Sequence, residues 1–108
     1  MPLYEMAPGF HARENNGVAF LEGELEAETA ESARAVLRAA VGRANEQVVI
    51  DLSALTFCDS AGIRVLLGAV LRAEDRPVVL RNPQATVRKV LDLTGVTPRF
   101  VLEYDNPH

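Results

Sequence analysis

The chain has 108 residues, of which 48% are hydrophobic and 24% are charged, a composition typical of one globular domain. A domain of this length buries about two-thirds of the surface that its unfolded chain exposes. Fifteen acidic residues against eleven basic ones give a net charge of −4, and the basic residues form no patch, so nucleic-acid binding is not expected.

The cysteine content and the apolar stretches indicate where such a protein works. Cys58 is the only cysteine, which excludes an intramolecular disulfide and is typical of a reducing compartment. A free cysteine of this kind is most often a small buried hydrophobe. The N-terminus has no basic segment followed by an apolar core, and the apolar stretches are too short to span a bilayer. We therefore expect a cytoplasmic protein without a membrane partner.

The first predicted element is a hairpin. The segment Met1–Pro8 shows little periodicity and is expected to be a loose lead-in. Strands are predicted at Phe10–Arg13 and Val18–Leu21. Between them, Asn16 and Gly17 form the residue pair that two-residue hairpin turns favour, because both positions need a positive φ. The two strands should therefore pair antiparallel.

A helix is predicted from about Ala27 to Val41, with Gly42 as its C-terminal stop. Its core-facing residues keep to helical spacing: Ala30, Ala33, Leu37, Ala40 and Val41. An acidic group precedes and enters this helix: Glu22, Glu24, Glu26, Glu28 and Glu31. We expect these carboxylates to form a solvated surface that complements the helix dipole, and no metal site, since nothing fixes their geometry.

The stretch Val48–Ala73 is the one around which the chain is organised. Val48–Ile50 is a short, continuously apolar run, typical of a strand buried on both faces. A helix is predicted from Ser60 to Ala73, with its core face formed by Ile63, Leu66, Leu67, Val70 and Leu71. Asp59 and Ser60 lie where the buried strand passes into this helix, which is where α/β sheets usually place their functional residues.

The remaining elements complete the sheet. Pro77–Leu80 is a predicted strand parallel to the central one. Asn82 and Pro83 are predicted to cap and begin a helix that Gly95 ends. Its inward positions are Val87, Val90 and Leu91.

A last strand over Pro98–Leu102 is predicted before a frayed tail, Tyr104–His108. The predicted fold is therefore α/β. It has one mixed, mostly parallel sheet of about five strands with helices packed against it, in the order ββαβαβαβ, within a single domain whose core spans about residues 8–103.

Two interpretations of Ser60 stand side by side. As a helix N-cap, its hydroxyl would accept a free backbone N–H of the first helical turn. As a functional hydroxyl, it would be modified or contacted by a partner. A phosphate there would add a charge of about −1.5 to −2, which the helix dipole favours and neighbouring Asp59 opposes.

Catalysis by the chain itself is not expected. Serine hydrolysis needs a base beside the nucleophile, and neither His11 nor His108 has a reason to reach Ser60. The motifs G-x-S-x-G, G-x-G-x-x-G and the P-loop are absent, and no Cys/His spacing suits zinc. Asp51 lies at a predicted strand end, where a carboxylate more often bonds local backbone than pairs with Asp59 as acid and base. We expect no enzyme, cofactor or metal.

Three segments together resemble the STAS domain, and most closely its anti-sigma-factor antagonist (anti-anti-sigma factor) type. The first runs from Asp51–Ser53 through Phe57–Ile63. The second is Gly23–Glu26 with Thr29-Ala30, which is similar to the early G-E-L-D…T-A element of the family. The third is Val90–Val96, which is similar to its late helix ending in L-x-x-x-G. Each motif alone is weak, whereas three in the family's order are specific.

The resemblance implies a regulator that changes partners. The serine of its D-S-x-G position, which corresponds to Ser60, would be phosphorylated by an anti-sigma factor that is also an ATP-dependent serine kinase. The unphosphorylated protein would bind that anti-sigma factor and release a sigma factor, and a metal-dependent serine phosphatase would reset it. As an alternative, the chain would be a STAS subunit of a lipid-transport or signalling-scaffold complex in which Ser60 is not phosphorylated. A monomer or weak dimer is expected.

The predicted partner-binding residues surround Ser60. Asp59 and Gly62 flank the serine, and helical spacing gives an exposed face at Ala61, Arg64, Val65 and Gly68. The family's placing of its early motif adds Glu24 and Glu26. Three of these residues differ from common family residues: Ala61 stands where many relatives have a second hydroxyl residue, Arg64 where Gly is common, and Glu26 where Asp is usual.

Overall fold

The computed structural model describes residues 3–105, which form a six-stranded sheet, three α-helices and one 3₁₀ turn. The strands are β1 (Leu3–Ala7), β2 (Phe10–Asn15), β3 (Val18–Leu25), β4 (Val48–Cys58), β5 (Val78–Arg81) and β6 (Val101–Glu103). The helices are α1 (Ala30–Arg43), α2 (Ser60–Ala73) and α3 (Ala85–Leu93), and the 3₁₀ turn is Thr97–Arg99.

The strands lie in the sheet in the same order as in the chain. The pairs β1–β2 and β2–β3 are antiparallel, and the three pairs from β3 to β6 are parallel. The predicted α/β fold with a mixed, mostly parallel sheet is thus confirmed, as is the hairpin turn at Asn16 and Gly17, whose φ angles are 53° and 84°.

The sheet has one strand more than predicted, because the segment expected to be a loose lead-in forms β1. Its residues pair with β2 in a regular antiparallel register, from Leu3↔Glu14 to Ala7↔Phe10. Leu3 and Ala7 also pack against the core. Backbone pairing with a neighbouring strand holds this edge segment, and such pairing leaves only a weak trace in a short stretch of sequence.

The core lies between one face of the sheet and the helices. Alternate residues of the strands point into it, among them Phe10, Ala12, Ala19, Leu21 and Leu25. The predicted inward residues of the first helix are all buried. On α2 the prediction was wrong for Leu71, which is 73% exposed. The buried stripe of α2 is instead centred on Gly62, Leu66, Ala69 and Ala73, and Leu71 lies on the opposite side.

Two predicted helix ends differ from the structure. The first helix begins at Ala30 because the preceding residues form a turn in which the Thr29 N–H bonds the Glu26 carbonyl at 3.1 Å. Gly42 does not stop it. The helix continues to Arg43, whose Nε lies 3.3 Å from Oε1 of the buried Glu14, and this attraction favours a longer last turn.

Asn82 and Pro83 do not begin the third helix, which starts at Ala85 with Gln84 as its N-cap. Asn82 has a positive φ of 55°, and its side chain bonds Asp105 instead. Gly95 ends the helix as predicted, in a Schellman arrangement with φ of 73°.

The C-terminal strand is shorter than predicted. A 3₁₀ turn occupies Thr97–Arg99, where Pro98 favours a turn over a ladder, and only Val101–Glu103 pairs with β5. Within the predicted frayed tail, the Asp105 N–H bonds the Asn82 side chain at 2.9 Å, while residues 106–108 lie outside the described range.

The central strand β4 is 11 residues long, much longer than the apolar run that predicted it. Its pairing with β5 runs from Val48 to Asp51 and stops there, whereas its pairing with β3 continues as far as Cys58. Side chains at the start of α3 cover part of its free edge: Gln84 donates to the Ser53 carbonyl at 2.7 Å, and Thr86 donates to that of Thr56 at 3.2 Å. The long strand brings the chain to the end of β3 before α2 begins.

Candidate functional site

The candidate site lies where the carboxyl ends of β3 and β4 meet. The last ladder position pairs Leu25 with Cys58, and the Asp59 N–H then donates to the Leu25 carbonyl at 3.2 Å. Helix α2 begins at the next residue, Ser60. The strand-to-helix junction predicted from the sequence is therefore formed, and the end of β3 is part of it.

Asp59, and not Ser60, is the N-cap of α2. Its Oδ1 accepts the Gly62 N–H at 3.1 Å, and its backbone carbonyl accepts that of Ile63 at 2.9 Å. Ser60 is the first helical residue and its side chain is exposed. Across residues 3–105 no hydrogen bond involves the Ser60 hydroxyl. The interpretation of Ser60 as a capping residue is thus wrong, because aspartate occupies the capping position with the backbone angles that a cap requires.

Gly62 allows the first turn of α2 to pack closely on β3 and β4. A Cβ atom at this position would lie 2.7 Å from Sγ of Cys58, and it would lie 2.9 Å from Cγ and 3.0 Å from the carbonyl oxygen of Leu25. Real Cβ contacts are longer than the first two of these distances. The close approach holds the first turn of α2, which begins with Ser60, against β3 and β4.

Cys58 is a buried structural residue, as its sequence context predicted. Burial, followed by the nearby charge of Asp59, raises the pKa of its thiol to about 12. The residue is therefore a neutral thiol near pH 7, and a thiolate nucleophile is not available beside Ser60.

The predicted partner-binding residues of α2 divide into two groups. Arg64 is exposed, and Ala61 and Gly68 are half-buried. Val65 is only 3% exposed, so its prediction as a surface residue was wrong; it lies next to the buried stripe of the helix. Leu71, which was predicted to face the core, is exposed and shares a line along the helix with the exposed Ser60 and Arg64. We call the exposed residues of this line the outer face of α2: Ser60, Arg64 and Leu71; Leu67, between them, is half-buried and packs against the core as predicted.

The end of β3 and the loop after it lie beside this junction and carry Glu24 and Glu26, respectively. Thr29 holds the loop: its Oγ1 donates to the Glu24 carbonyl at 2.8 Å and accepts the Glu26 N–H at 3.0 Å. Glu24 is exposed and Glu26 is half-buried. Both carboxylates flank Leu25, whose carbonyl bonds Asp59, so they belong to the same edge of the sheet as Ser60. Thr29 is part of the early motif, but its hydrogen bonds to the backbone of Glu24 and Glu26 were not predicted from the sequence.

Gly23 lies near the end of β3, where it fixes the position of this strand relative to the turn that joins β1 to β2. Its φ is 97°, and a Cβ atom would clash with the Gly9 carbonyl oxygen. That same carbonyl accepts the Glu24 N–H at 3.0 Å. The glycine of the G-E-L-E motif is thus required by a backbone contact between β3 and the turn that joins β1 to β2.

The described residues do not assemble a catalytic or metal centre around Ser60. No group of three or more His, Cys, Asp or Glu side chains within residues 3–105 could hold a metal ion. His11 bonds the Tyr4 hydroxyl at 3.0 Å on the sheet face opposite the core, where it also borders an open cleft of about 310 Å³. His108 lies outside the described range.

Asp51 and Asp59 have different hydrogen-bond partners: Asp59 caps α2, whereas Asp51 bonds Ser53 and Arg81. Asp51 accepts hydrogen bonds from the Ser53 N–H and hydroxyl at 3.0 and 2.6 Å and from Arg81 Nε at 2.9 Å. Burial raises the pKa of Asp51, but these hydrogen bonds together outweigh it and leave the pKa below its ordinary value. The carboxylate is therefore held as a structural anion.

In the part of the chain that the structure describes, none of the helices combines the length and the apolar character needed to cross a membrane.

Comparison with known proteins agrees with this geometry. The family model described as Mlab, STAS domain, matches residues 9–103. An anti-sigma F factor antagonist of Lysinibacillus sphaericus is 36% identical over 81 residues, which are 72% of this chain and 69% of the relative.

Two solved structures share the fold. The anti-sigma factor antagonist SpoIIAA in its unphosphorylated form has a TM-score of 0.66 at 25% identity, covering 97% of this chain and 90% of that one. An anti-sigma factor antagonist from Mycobacterium paratuberculosis has a TM-score of 0.69 at 27% identity, covering 95% and 84%. The chain therefore belongs to the STAS domain family. Within that family it is similar to the anti-sigma factor antagonist type, as the three motifs predicted.

Proposed function

We propose that this protein is a cytoplasmic anti-sigma factor antagonist that works by partner switching. In its unphosphorylated form it binds an anti-sigma factor and thereby releases a sigma factor. Phosphorylation of Ser60 ends that binding. The observation that carries the proposal is the exposed Ser60 hydroxyl at the start of α2, which no described residue engages.

The proposed modification is a phosphoryl transfer from a nucleoside triphosphate held by the anti-sigma factor, which also acts as a serine kinase. Oγ of Ser60 bonds to the γ-phosphorus, and the bond from that phosphorus to the β–γ bridging oxygen breaks. The hydroxyl proton passes to a base of the kinase, and the nucleoside diphosphate leaves. A metal-dependent phosphatase reverses the state by adding water to the phosphoserine, which gives serine and inorganic phosphate.

Electrostatics supports release on phosphorylation. The phosphate adds about −1.5 to −2 charge next to Asp59 and at the same sheet edge as Glu24 and Glu26. A partner that docks there must desolvate this excess of negative charge. A loss of about 2–4 kcal/mol lowers the affinity roughly 30- to 1,000-fold, which is sufficient for a switch.

The fold tolerates the modification because the structural roles lie on other residues. Asp59 caps the helix, and Gly62 makes the close contact with β3 and β4. The Ser60 side chain points into solvent, where the positive end of the α2 dipole favours an anion. Phosphorylation therefore changes the docking surface while leaving the core unchanged.

The proposed contact surface is centred on the outer face of α2. Ser60 and Arg64 form its first turn, Ala61 and Gly68 flank it, and Leu71 extends it by two turns. Val65 is not part of it, because the side chain is buried. Glu24 and Glu26 border the surface at the end of β3.

Affinity capture from the lysate of the source cell tests the proposal, with wild type, Ser60→Ala and Ser60→Asp as baits. The expected result is an anti-sigma kinase captured by wild type and by Ser60→Ala, and lost with Ser60→Asp. The purified kinase should phosphorylate wild type and leave Ser60→Ala unmodified. Capture of the same partners by all three baits would refute the switch and favour the alternative, a constitutive STAS subunit of a transport or scaffold complex.

A further inference from the structure

Arg64 is an exposed cation one helical turn after Ser60. Residues four apart on a helix have their Cβ atoms about 5–6 Å from each other, which is within reach of an arginine side chain. Across the described range, residues 3–105, Arg64 takes part in no hydrogen bond or ion pair. Its guanidinium group is therefore available to bind a negatively charged group.

Each of the other two helices has an arginine that pairs with a carboxylate at helical spacing. On α1, Arg34 lies 3.2 Å from Glu31, three residues earlier. On α3, Arg88 lies 3.1 Å from Asp92, four residues later. Around Arg64, the positions three and four residues away on α2 hold no carboxylate: they are Ser60, Ala61, Leu67 and Gly68. The serine is the residue among them that can acquire negative charge.

We propose that Arg64 binds the phosphoryl group of phosphorylated Ser60 within the same molecule. This inference rests on the proposed function, because it needs Ser60 to be the modified residue. Phosphorylation would then act on the outer face of α2 in two ways. It adds negative charge, and it engages a cation that the unphosphorylated protein presents to a partner.

The order of charges along the helix suits this contact. A negative group N-terminal to a positive one, four residues apart, is the favourable orientation on a helix. The guanidinium fork can donate two parallel hydrogen bonds to phosphate oxygens. Asp59, whose Oδ1 is held by the Gly62 N–H, and the more distant Glu24 and Glu26 repel the phosphate. Arg64 offsets that repulsion.

A carboxylate at position 60 should reproduce this contact poorly. Aspartate has one negative charge on a short side chain, whereas phosphoserine has up to two charges and reaches further from the helix. Tests of Arg64 therefore need true phosphoserine, which can be installed at position 60 during translation without the kinase.

The test is a ³¹P NMR titration of the phosphoserine protein alone, in wild type, Arg64→Gln and Arg64→Lys. The matched control is Arg72→Gln, another exposed arginine of α2, two turns further on. Loss of the cation should raise the midpoint of the second phosphate ionisation by about 0.15–0.4 pH units in Arg64→Gln, which is the free energy of a helical ion pair converted to a shift in midpoint. The midpoint of Arg64→Lys should lie between those of wild type and Arg64→Gln, and the midpoint of Arg72→Gln should equal that of wild type.

Equal midpoints for wild type and Arg64→Gln would overturn the inference, as would equal shifts in Arg64→Gln and Arg72→Gln. Each variant is first shown to be folded by circular dichroism. Failure of the proposed function is seen separately: the phosphoserine protein would then bind the anti-sigma factor as tightly as the unphosphorylated form, whatever the titration shows.

Discussion

The closest packing at the candidate site is at Gly62, and Gly62→Ala tests it. In an ordinary helical position, replacing glycine by alanine stabilises a protein by about 0.5–1 kcal/mol, because the unfolded chain loses freedom. At Gly62 the added methyl group would lie 2.7 Å from Sγ of Cys58 and 2.9 Å from Cγ of Leu25. One side of the contact is also backbone, the Leu25 carbonyl oxygen at 3.0 Å, which cannot rotate away.

The expected result is a net loss of stability. Forcing an extra methyl group into a packed site costs about 1–3 kcal/mol, which exceeds the gain in helix propensity. We therefore expect the free energy of unfolding to fall by about 1–2 kcal/mol in Gly62→Ala, and by more in Gly62→Val. Two matched controls are Gly68→Ala on α2 and Gly42→Ala on α1, where a Cβ atom would have no heavy atom within 4 Å. Both should be stabilised by about 0.5–1 kcal/mol.

Urea unfolding followed by circular dichroism measures all of these variants. A second test is Cys58→Ala, which removes the closest atom: the double variant Cys58→Ala/Gly62→Ala should be less destabilised than the sum of the two single changes. The reasoning fails if Gly62→Ala is as stable as Gly68→Ala. In that case the helix can move away from β3 at little cost, and the contact at Gly62 does not fix the position of the first turn of α2.

Two further predictions concern the carboxylates near the ends of the parallel strands. Ser60→Ala should change the free energy of unfolding by less than about 0.5 kcal/mol, whereas Asp59→Ala should lower it by about 1 kcal/mol, because Asp59 is the N-cap of α2. Urea unfolding measures both variants. A larger loss of stability in Ser60→Ala than in Asp59→Ala would show that Ser60 is the capping residue. Asp51 has a folded-state pKa below the unfolded value of about 3.9, so its contribution to stability is present above that pH and is lost as the pH falls through the folded pKa. Unfolding measured from pH 7 to pH 2 should show a difference between wild type and Asp51→Asn that is constant above about pH 5 and shrinks in acid. If the difference in unfolding free energy between wild type and Asp51→Asn did not change with pH, the lowered pKa of Asp51 would be contradicted.

Much of the site could be predicted from the sequence because its signals are local. The helix α2 begins at Ser60 and ends at Ala73 as predicted, since a polar segment, an aspartate and a continuous apolar period mark its start and length. The Asn16-Gly17 turn and the Gly95 stop were predicted for the same reason: each depends on the backbone freedom of one or two residues. The family motifs added Glu24 and Glu26 to the same site.

Other features were decided by tertiary contacts. The sequence of α2 offers apolar residues on more than half of its circumference, so spacing alone could not say which of them face the sheet. Packing of α2 in the folded domain buries Val65 and leaves Leu71 exposed. Similarly, Asp59 and Ser60 are both good capping residues, and only the end of β4 determines which one has the capping geometry.

The two groups of features differ in the range of the interactions behind them. Turn chemistry, caps and hydrophobic period are properties of neighbouring residues, and the amino-acid sequence of this protein determines them by itself. The strand β1 exists because β2 offers it an unpaired edge, and Gly62 is required because Leu25 of β3 and Cys58 of β4 approach it closely. The contact between Leu25 and Gly62 joins residues far apart in the chain, so only the tertiary structure decides it. The pairing of β1 depends on β2 being placed in the sheet with a free edge, which the sequence of β1 does not show.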